Sequence, residues 1–477
     1  MSSKTALRNL IPEVQKAAIK SAMRSSGFRD GSCDEGEFRA PYNLVPRDED
    51  GESYGGFNPV DFIVTYPGGT WYVDNYGQRV PYSQTSWADS LPPPFDAVEV
   101  YNSWRTSVAE LLEPWLNTPE PDDFDTPIDT IRAVALKLSA GGVVADGKGE
   151  ELQLEGGNQA LGSYVTYVTS ELAQYNGDMI DTLSLNYTSR LSQILNGQHI
   201  VACAAGTTVA GEQEVWRRAD ASVLELANAA KTAFLSERGG ADWKKVLGIV
   251  GTVTSALGLF LGPGGVATAN ATIGTVTGII GGFLPEPPEE KETLIEGSTA
   301  TEIIASLSTA LTNLATTIGD VESDFLSFGI EIDGWIWDNL SYFDISRPTD
   351  FLEDDRGEYF AAGENLQVLT PHLRKIAGVV KLIGVEQRDA GSQMSDATKE
   401  VAWYRDAALG LSYRGHFAGW SVLEQSLTGL CSNSFAELTS VAERMVAASY
   451  DFDATDEAVQ SALQTEIREI RDAGGVG

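Results

Sequence analysis

The sequence predicts a mainly α-helical protein: an elongated antiparallel helical bundle with a central apolar hairpin and a small N-terminal β-hairpin. Two observations carry this prediction. Apolar residues recur at steps of three and four over most of the chain after residue 158, and one stretch of about 40 residues carries no charged side chain. Helices that carry apolar seams bury those seams against each other, so the pattern predicts an antiparallel bundle.

Residues 1–95 form the first predicted region. The chain opens on a basic amphipathic helix, MSSKTALRNLIPEVQKAAIKSAMR, which lacks the continuous apolar core of a secretory signal peptide. A loop-rich stretch follows. Within it, Phe62–Tyr66 and Thr70–Val73 flank the turn Pro67-Gly68-Gly69, which predicts a small β-hairpin.

Two helical regions flank the centre of the chain. Residues 96–245 are predicted to be helical, and residues 286–363 are predicted to form a helix followed by an aromatic loop. Each region carries a seam that alternates steps of three and four, typical of helices that pack side by side. The first seam is Trp216, Ala219, Val223, Leu226, Ala230 and Ala233, and the second is Ile304, Leu307, Leu311, Leu314, Ile318, Val321 and Phe325.

Residues 246–285, here called the apolar tract, contain no charged side chain and predict a Gly/Thr-rich hairpin. The sequence Gly262-Pro263-Gly264-Gly265 divides the tract into two arms, each near or below the roughly 20 residues of an upright transmembrane helix. Its threonines leave a β-tongue open. Three interpretations stand: a hairpin buried in the protein or in an oligomer, a hairpin that inserts into a membrane, or an interface with a dedicated partner. The candidate hairpin residues are Val246, Leu247, Ile249, Leu257, Phe260, Leu261, Ile273, Val276, Ile279, Ile280, Phe283 and Leu284.

Composition excludes several function classes. With 68 acidic against 33 basic residues and a formal charge of -35, the surface repels nucleic-acid phosphates, so we predict no nucleic-acid partner. His199 and Cys203 are close in sequence but have no further ligand or orienting acid nearby. No phosphate-binding, nucleophile-elbow or zinc-protease motif occurs. We therefore predict no catalytic residue, no metal and no cofactor, the alternative being an enzyme whose site the sequence hides.

Residues 364–477 are predicted to form a helical hairpin whose second helix ends near residue 450, followed by a separate acidic C-terminal helix at 456–472. The same region carries a family resemblance. The segment LQVLTPHLRKIAGVVKLIG, the glycine-containing turn YRGHFAGW and the segment FAELTSVAERMVAASYDFDATDEAVQSAL resemble the Trp-x-Gly helical-hairpin substrates of actinobacterial type VII (ESX) secretion. In that family two helices meet at a Gly/Trp turn, and the second ends in an Ala-rich run, a Tyr and an acidic segment. The positions that match this secretion signal are Gly419, Trp420, Tyr450, Asp453 and Asp456.

The resemblance implies a non-enzymatic protein that is secreted or held at the cell surface without a cleavable signal peptide. It implies secretion machinery or a helical protein as partner, with function through helix packing and homo-oligomerisation. A second resemblance is one of layout, since soluble α-helical pore-forming toxins also place an apolar hairpin between long helices. On that alternative, residues 246–284 insert into a target membrane.

Overall fold

The computed structural model describes residues 3–25, 62–66, 69–73, 79–81, 95–145, 151–154, 156–175, 178–236, 243–247, 291–295, 297–347, 370–397 and 399–473, with the single positions 256, 260, 280 and 283. The described chain is mainly helical, as predicted. The α-helices are α1 Ser3–Ser25, α2 Ala97–Leu112, α3 Asp125–Leu138, α4 Gln159–Leu172, α5 Asp178–Leu183, α6 Ser189–Leu235, α7 Ala300–Asp338, α8 Thr370–Ser395 and α9 Phe417–Ala473.

Short 3-10 and π turns join several helices. The π turn Ser184–Thr188 leads into α6. The 3-10 turns are Glu113–Asn117, Pro121–Phe124, Leu340–Tyr342, Glu400–Trp403 and Ala407–Leu409.

In the described ranges, eight short strands form three separate sheets. A four-stranded sheet has the order β3 Arg79–Pro81, β2 Gly69–Val73, β1 Phe62–Tyr66, β4 Phe95–Asp96. β1 pairs antiparallel with β2 and parallel with β4. The two other sheets are antiparallel pairs, β5 Gly142–Ala145 with β6 Glu151–Leu154 and β7 Trp243–Leu247 with β8 Lys291–Ile295. The region 96–245, predicted as helical, thus also holds β5, β6 and β7.

Two long helices form the centre of the molecule. α6 has 47 residues and α7 has 39, and the chain between them contains the apolar tract. Gly211 of α6 lies against Phe325 of α7, and Gly197 lies against Phe343 just after α7, so the two helices run in opposite directions. A capping box between Thr299 and Glu302 fixes the start of α7 by satisfying its first backbone N–H groups.

The apolar residues predicted as the packing seam of α6 are buried, but over part of this helix the side chains on the other faces are buried as well. From Ile194 to Gln213 every α6 side chain is buried, because α1, α3, α7 and α9 all pack around it. Small residues dominate this stretch, which reads ACAAGTTVAG from Ala202 to Gly211. Small side chains let neighbouring elements approach the helix closely, so α6 is the central helix of the core.

The first helix packs on the body along its apolar face and also buries a lysine. Leu7, Ile11 and Val14 join the main core, where α1 contacts α6 and α2. The ammonium of Lys4 donates to the backbone carbonyls of Thr118 and Pro119. Burying an ammonium is costly without such acceptors, and here they lie between α2 and α3.

A second core cluster joins α8 and α9. Arg374 donates to Ser449 at one end of α8, while Gly391 contacts Cys431 near the other, so α8 and α9 are antiparallel. The shared apolar surface is formed by Leu373, Ile376, Val380 and Ile383 of α8 and Leu438, Val441, Ala442 and Met445 of α9.

The end of the chain differs from the sequence expectation of two helices. α9 continues from Phe417 to Ala473 through Tyr450 and Asp453, where we expected a helix break. The segment Asp451-Phe452-Asp453-Ala454-Thr455 contains neither glycine nor proline, so nothing in its covalent chemistry ends a helix.

Candidate functional site

The ends of the apolar tract are brought together by a strand ladder. β7 and β8 pair from Trp243 with Ile295 to Leu247 with Lys291, and in this register Val246 is opposite Glu292. The two ends of the segment 248–290 are therefore held side by side by one antiparallel pair. β8 also packs against α6 and α7, which fixes the ladder to the two central helices.

The four described positions inside the segment 248–290 are packed against the helical body. Ala256, Phe260 and Ile280 are at most 1% exposed and belong to the main core. Phe283 is half-buried and contacts Trp335 of α7, with 5.8 Å between the ring centroids. All four thus contribute apolar burial to the body, which supports the packed interpretation of the tract at these positions.

Phe260 is seated on a glycine of α6. A methyl group placed on Gly206 would overlap the Phe260 ring, so only glycine leaves room for the aromatic side chain. Arg132 of α3 holds the same residue from the other side. Its Nε donates to the Phe260 carbonyl at 2.9 Å, and its guanidinium lies 5.6 Å from the ring centroid.

The contact between Phe260 and Gly206 is far from the C-terminal end of α6. Gly206 precedes Leu235, the last residue of α6, by 29 positions, which is about 40 Å along a helix. Phe260 lies beside the middle of the central helix instead of projecting from its end.

The other predicted hairpin residues divide into two groups. Val246 and Leu247 lie in β7. Outside the described residues are Ile249, Leu257, Leu261, Ile273, Val276, Ile279 and Leu284. Among the helices that are described, none combines the length and apolar character needed to span a bilayer.

A buried charge cluster lies between the two central helices. It consists of Glu212 of α6, Glu322 of α7, and Arg405 and His416 of the connector, which we define as residues 396–416 between α8 and α9. Glu212 and Arg405 have fully buried side chains, and the Glu322 side chain is 5% exposed. The cluster therefore joins α6, α7 and the connector in the interior of the protein.

Arg405 binds both carboxylates. One guanidinium nitrogen donates to Glu322, and the other donates to Glu212 at 3.0 Å. The indole N–H of Trp216 also donates to Glu212, at 2.6 Å, and the Trp216 ring lies 4.9 Å from the guanidinium carbon. Gly415 has a φ of +52°, and a side chain there would overlap the guanidinium, so glycine is required at this turn.

His416 completes the cluster in its neutral form. Its Nε2 lies 2.9 Å from the Thr208 carbonyl, an acceptor, so Nε2 carries the hydrogen, and Nδ1 faces Glu212 at 3.2 Å. Burial lowers the pKa of His416, although the charge of Glu212 opposes that shift. With His416 neutral, two carboxylates share a single cation.

The excess negative charge is relieved by a proton. Burial raises the pKa of Glu322 to about 8, the charge of Glu212 adds to the rise, and Arg405 opposes it. A raised pKa favours the protonated form of Glu322 at neutral pH, so the two carboxylates do not carry their full negative charge together. Sequence reasoning missed this cluster. One signal was available, because Glu322 lies four residues after Ile318 on the buried face of α7.

The predicted secretion-signal residues lie apart from one another on α9. Gly419 is in the first turn of α9, where its backbone contacts Gly329 and Leu326 of α7. Trp420 is buried. Tyr450 is 58% exposed and stacks on the guanidinium of Arg374 at 4.1 Å. Asp453 and Asp456 lie in the same helix, beyond the range in which side chains are described.

A close pair of a cysteine and a histidine lies in the core without access to solvent. Cys203 Sγ lies 3.7 Å from His199 Nε2, and both side chains are fully buried. Burial raises the pKa of the Cys203 thiol and lowers that of His199. The thiol is therefore protonated at neutral pH and is not a nucleophile. Within the described ranges, no three His, Cys, Asp or Glu side chains are placed to hold a metal ion.

Comparison with known proteins gives no relative. No family model, no curated protein and no solved structure matches this chain.

Proposed function

We propose that this chain is a non-enzymatic, membrane-inserting helical protein. In its soluble form it keeps the apolar tract against its own helices, and on a target bilayer it inserts residues 246–284 as a hairpin. The observation that carries the proposal is the contact between Phe260 and Gly206, which packs one residue of the uncharged tract against the middle of α6. We infer that this contact is released when the tract enters a bilayer.

Charge and length support the same function. From Val246 to Pro285 no charged side chain would have to enter lipid, and Lys244, Lys245 and Glu286 mark polar borders on both sides. Each arm is too short for an upright span, so the hairpin needs neighbours to line a pore. We therefore infer that an elongated antiparallel bundle of α6 and α7 presents the hairpin and that several copies assemble at the membrane.

Vesicle leakage tests this function. We expect the intact protein to release dye from phosphatidylcholine vesicles, and we expect Ile279→Glu to abolish release, because a carboxylate in the middle of an arm costs several kcal/mol to bury in lipid. The matched control is Ile330→Glu, since Ile330 is 53% exposed on α7 and lies outside the tract. Absence of leakage at every protein concentration between pH 5 and pH 8 would refute membrane insertion.

A second proposed function, export as a type VII-like secretion substrate, is favoured by the helix pair at the end of the chain. α8 and α9 form an antiparallel pair with a buried apolar surface, and Tyr450 is exposed just past its last core residue, Met445. A secretion partner could therefore read this face of α9 without disturbing the core. The two proposals are compatible, since a membrane-inserting protein must first leave its host.

Deletion tests the export proposal. Removing residues 450–477 should abolish secretion from the native host, because it removes the exposed tyrosine and the acidic helix after it. The control deletion, residues 474–477, takes away only the Gly-rich tail. Export is followed by the fraction of protein in the medium. If the 450–477 deletion is exported as well as the full chain, the signal does not lie here.

A further inference from the structure

A cavity of about 530 Å³ opens beside the buried charge cluster. Its walls come from α2, the turn Glu113–Asn117, α7 and the connector. Leu111, Trp115 and Leu411 give it apolar walls, and Glu322 and Glu110 are its two charged lining residues. The volume falls within the range of small-molecule sites in proteins, about 300–1,000 Å³.

Glu322 gives this cavity a polar end. One of its carboxyl oxygens accepts from Arg405, while the other has no hydrogen-bond partner among the described residues. The residue is only 4% exposed, yet it lines the cavity. A carboxyl oxygen that lines a cavity and lacks a protein donor can accept a hydrogen bond from a group that enters the cavity.

The charged residues around the cavity indicate which class of ligand it can bind. Glu212 and Glu322 carry two potential negative charges against the single positive charge of Arg405, and no Lys, Arg or His lines the cavity in the described chain. An anion would be repelled by Glu110 at the rim and would find no cationic side chain among the lining residues. A hard metal ion needs several oxygen ligands, whereas an ammonium is satisfied by one carboxylate and nearby hydroxyl groups such as that of Thr316.

We propose that this cavity binds a primary ammonium carried on an apolar stem. The ammonium donates to the free oxygen of Glu322, and the stem lies along Leu111, Trp115 and Leu411. The entering cation replaces the proton on Glu322, and that proton leaves to solvent, so one positive charge is exchanged for another. Binding would supply the second cation that the two carboxylates of the cluster lack.

Calorimetry with n-hexylammonium tests the site, with 1-hexanol as the neutral probe of similar length. We expect the amine to bind more tightly than the alcohol, to release close to one proton at pH 7, and to bind more tightly as pH rises toward 8. Glu322→Gln should weaken amine binding about tenfold or more, because it removes a charge-assisted hydrogen bond in a buried site. Glu110→Gln, at the exposed rim, should weaken it much less.

A lysine side chain carries the same chemistry as a free alkylamine, so a second titration uses lysine capped at both backbone ends. Binding of either amine, lost in Glu322→Gln, supports the proposal, and comparing the two identifies the source. Equal binding of amine and alcohol, or amine binding that survives Glu322→Gln, would overturn it, as would failure of both amines to bind at millimolar concentration. Thermal unfolding at pH 8 verifies that Glu322→Gln is folded.

Discussion

Replacing Gly206 by alanine should loosen the apolar tract from the body and increase vesicle leakage at a given protein concentration. The added methyl group overlaps the Phe260 ring, which is fully buried and has no open space beside it. Overpacking of this kind costs about 1–3 kcal/mol. If that cost falls on the packed tract, the population with a detached tract rises by roughly one to two orders of magnitude.

Gly211→Ala is the matched control for this prediction. Gly211 lies five residues further along α6, and a methyl group there overlaps the Phe325 ring of α7 instead of the tract. Both variants strain the core, but only Gly206→Ala should raise leakage. Thiol labelling gives an independent readout, because Cys203 lies one turn from Gly206 whereas Cys431 is buried between α8 and α9. In Gly206→Ala we expect faster labelling of Cys203 relative to Cys431. Unchanged labelling and unchanged leakage would contradict the inference that the contact between Phe260 and Gly206 restrains the tract.

Arg405→Met should destabilise the fold by about 3–5 kcal/mol at pH 8. The substitution keeps most of the apolar stem but leaves Glu212 and Glu322 buried together without a cation. Arg414→Met is the matched control on the same connector, because Arg414 pairs with Glu400 at the surface and both side chains are at least 40% exposed. Loss of such an exposed pair costs at most about 1 kcal/mol. Denaturant unfolding measures both, and similar costs for the two variants would show that the cluster contributes little.

The pH dependence of stability separates the cluster from ordinary packing. Because the pKa of Glu322 is raised in the folded state, its contribution to stability is present in acid and is lost as pH rises toward about 8. His416 has a lowered pKa, so its contribution is present above 6.5 and is lost as pH falls through the folded value. The wild type should therefore lose stability from pH 6.5 to about 8, and Glu322→Gln should remove much of that loss.

The same charge argument predicts that a second substitution restores part of the stability lost in Arg405→Met. In Arg405→Met the loss of stability should be larger at pH 8.5 than at pH 6, since protonation of the carboxyls removes their repulsion. Adding Glu322→Gln to Arg405→Met should recover part of the loss at pH 8.5 and little of it at pH 6. An Arg405→Met cost that is independent of pH would mean that lost packing, and not charge, sets it.

Sequence periodicity was a good guide to the helices with one buried face. In α7, the predicted positions Leu307, Leu311 and Phe325 are all buried, and Ile304 is half-buried. The reason is geometric, since a helix that packs on one side must repeat its apolar residues every three or four positions. In α6 the same argument located the seam from Trp216 onward but could not predict the fully buried stretch before it. That stretch is set by which helices surround α6, and this is a tertiary property.

Neither the buried charge cluster nor the contact between Phe260 and Gly206 could be predicted from the sequence, for a related reason. Glu212, Glu322, Arg405 and His416 are far apart in the chain, and nothing local specifies that they meet. Likewise, a run of glycine and alanine in α6 is compatible with many packing partners. The uncharged tract itself was visible in the sequence, whereas the face of the body that holds Phe260 depends on the return of the chain through β7 and β8.

The β7–β8 ladder holds Leu247 and Lys291 opposite each other, so the two ends of the segment 248–290 stay together while the ladder is paired. Release of Phe260 can then be a local opening that leaves the ladder paired, and we expect the amide protons of α6 beneath Phe260 to exchange through that opening more readily than through global unfolding. Contacts such as that of Arg132 with Phe260 set how often this opening occurs.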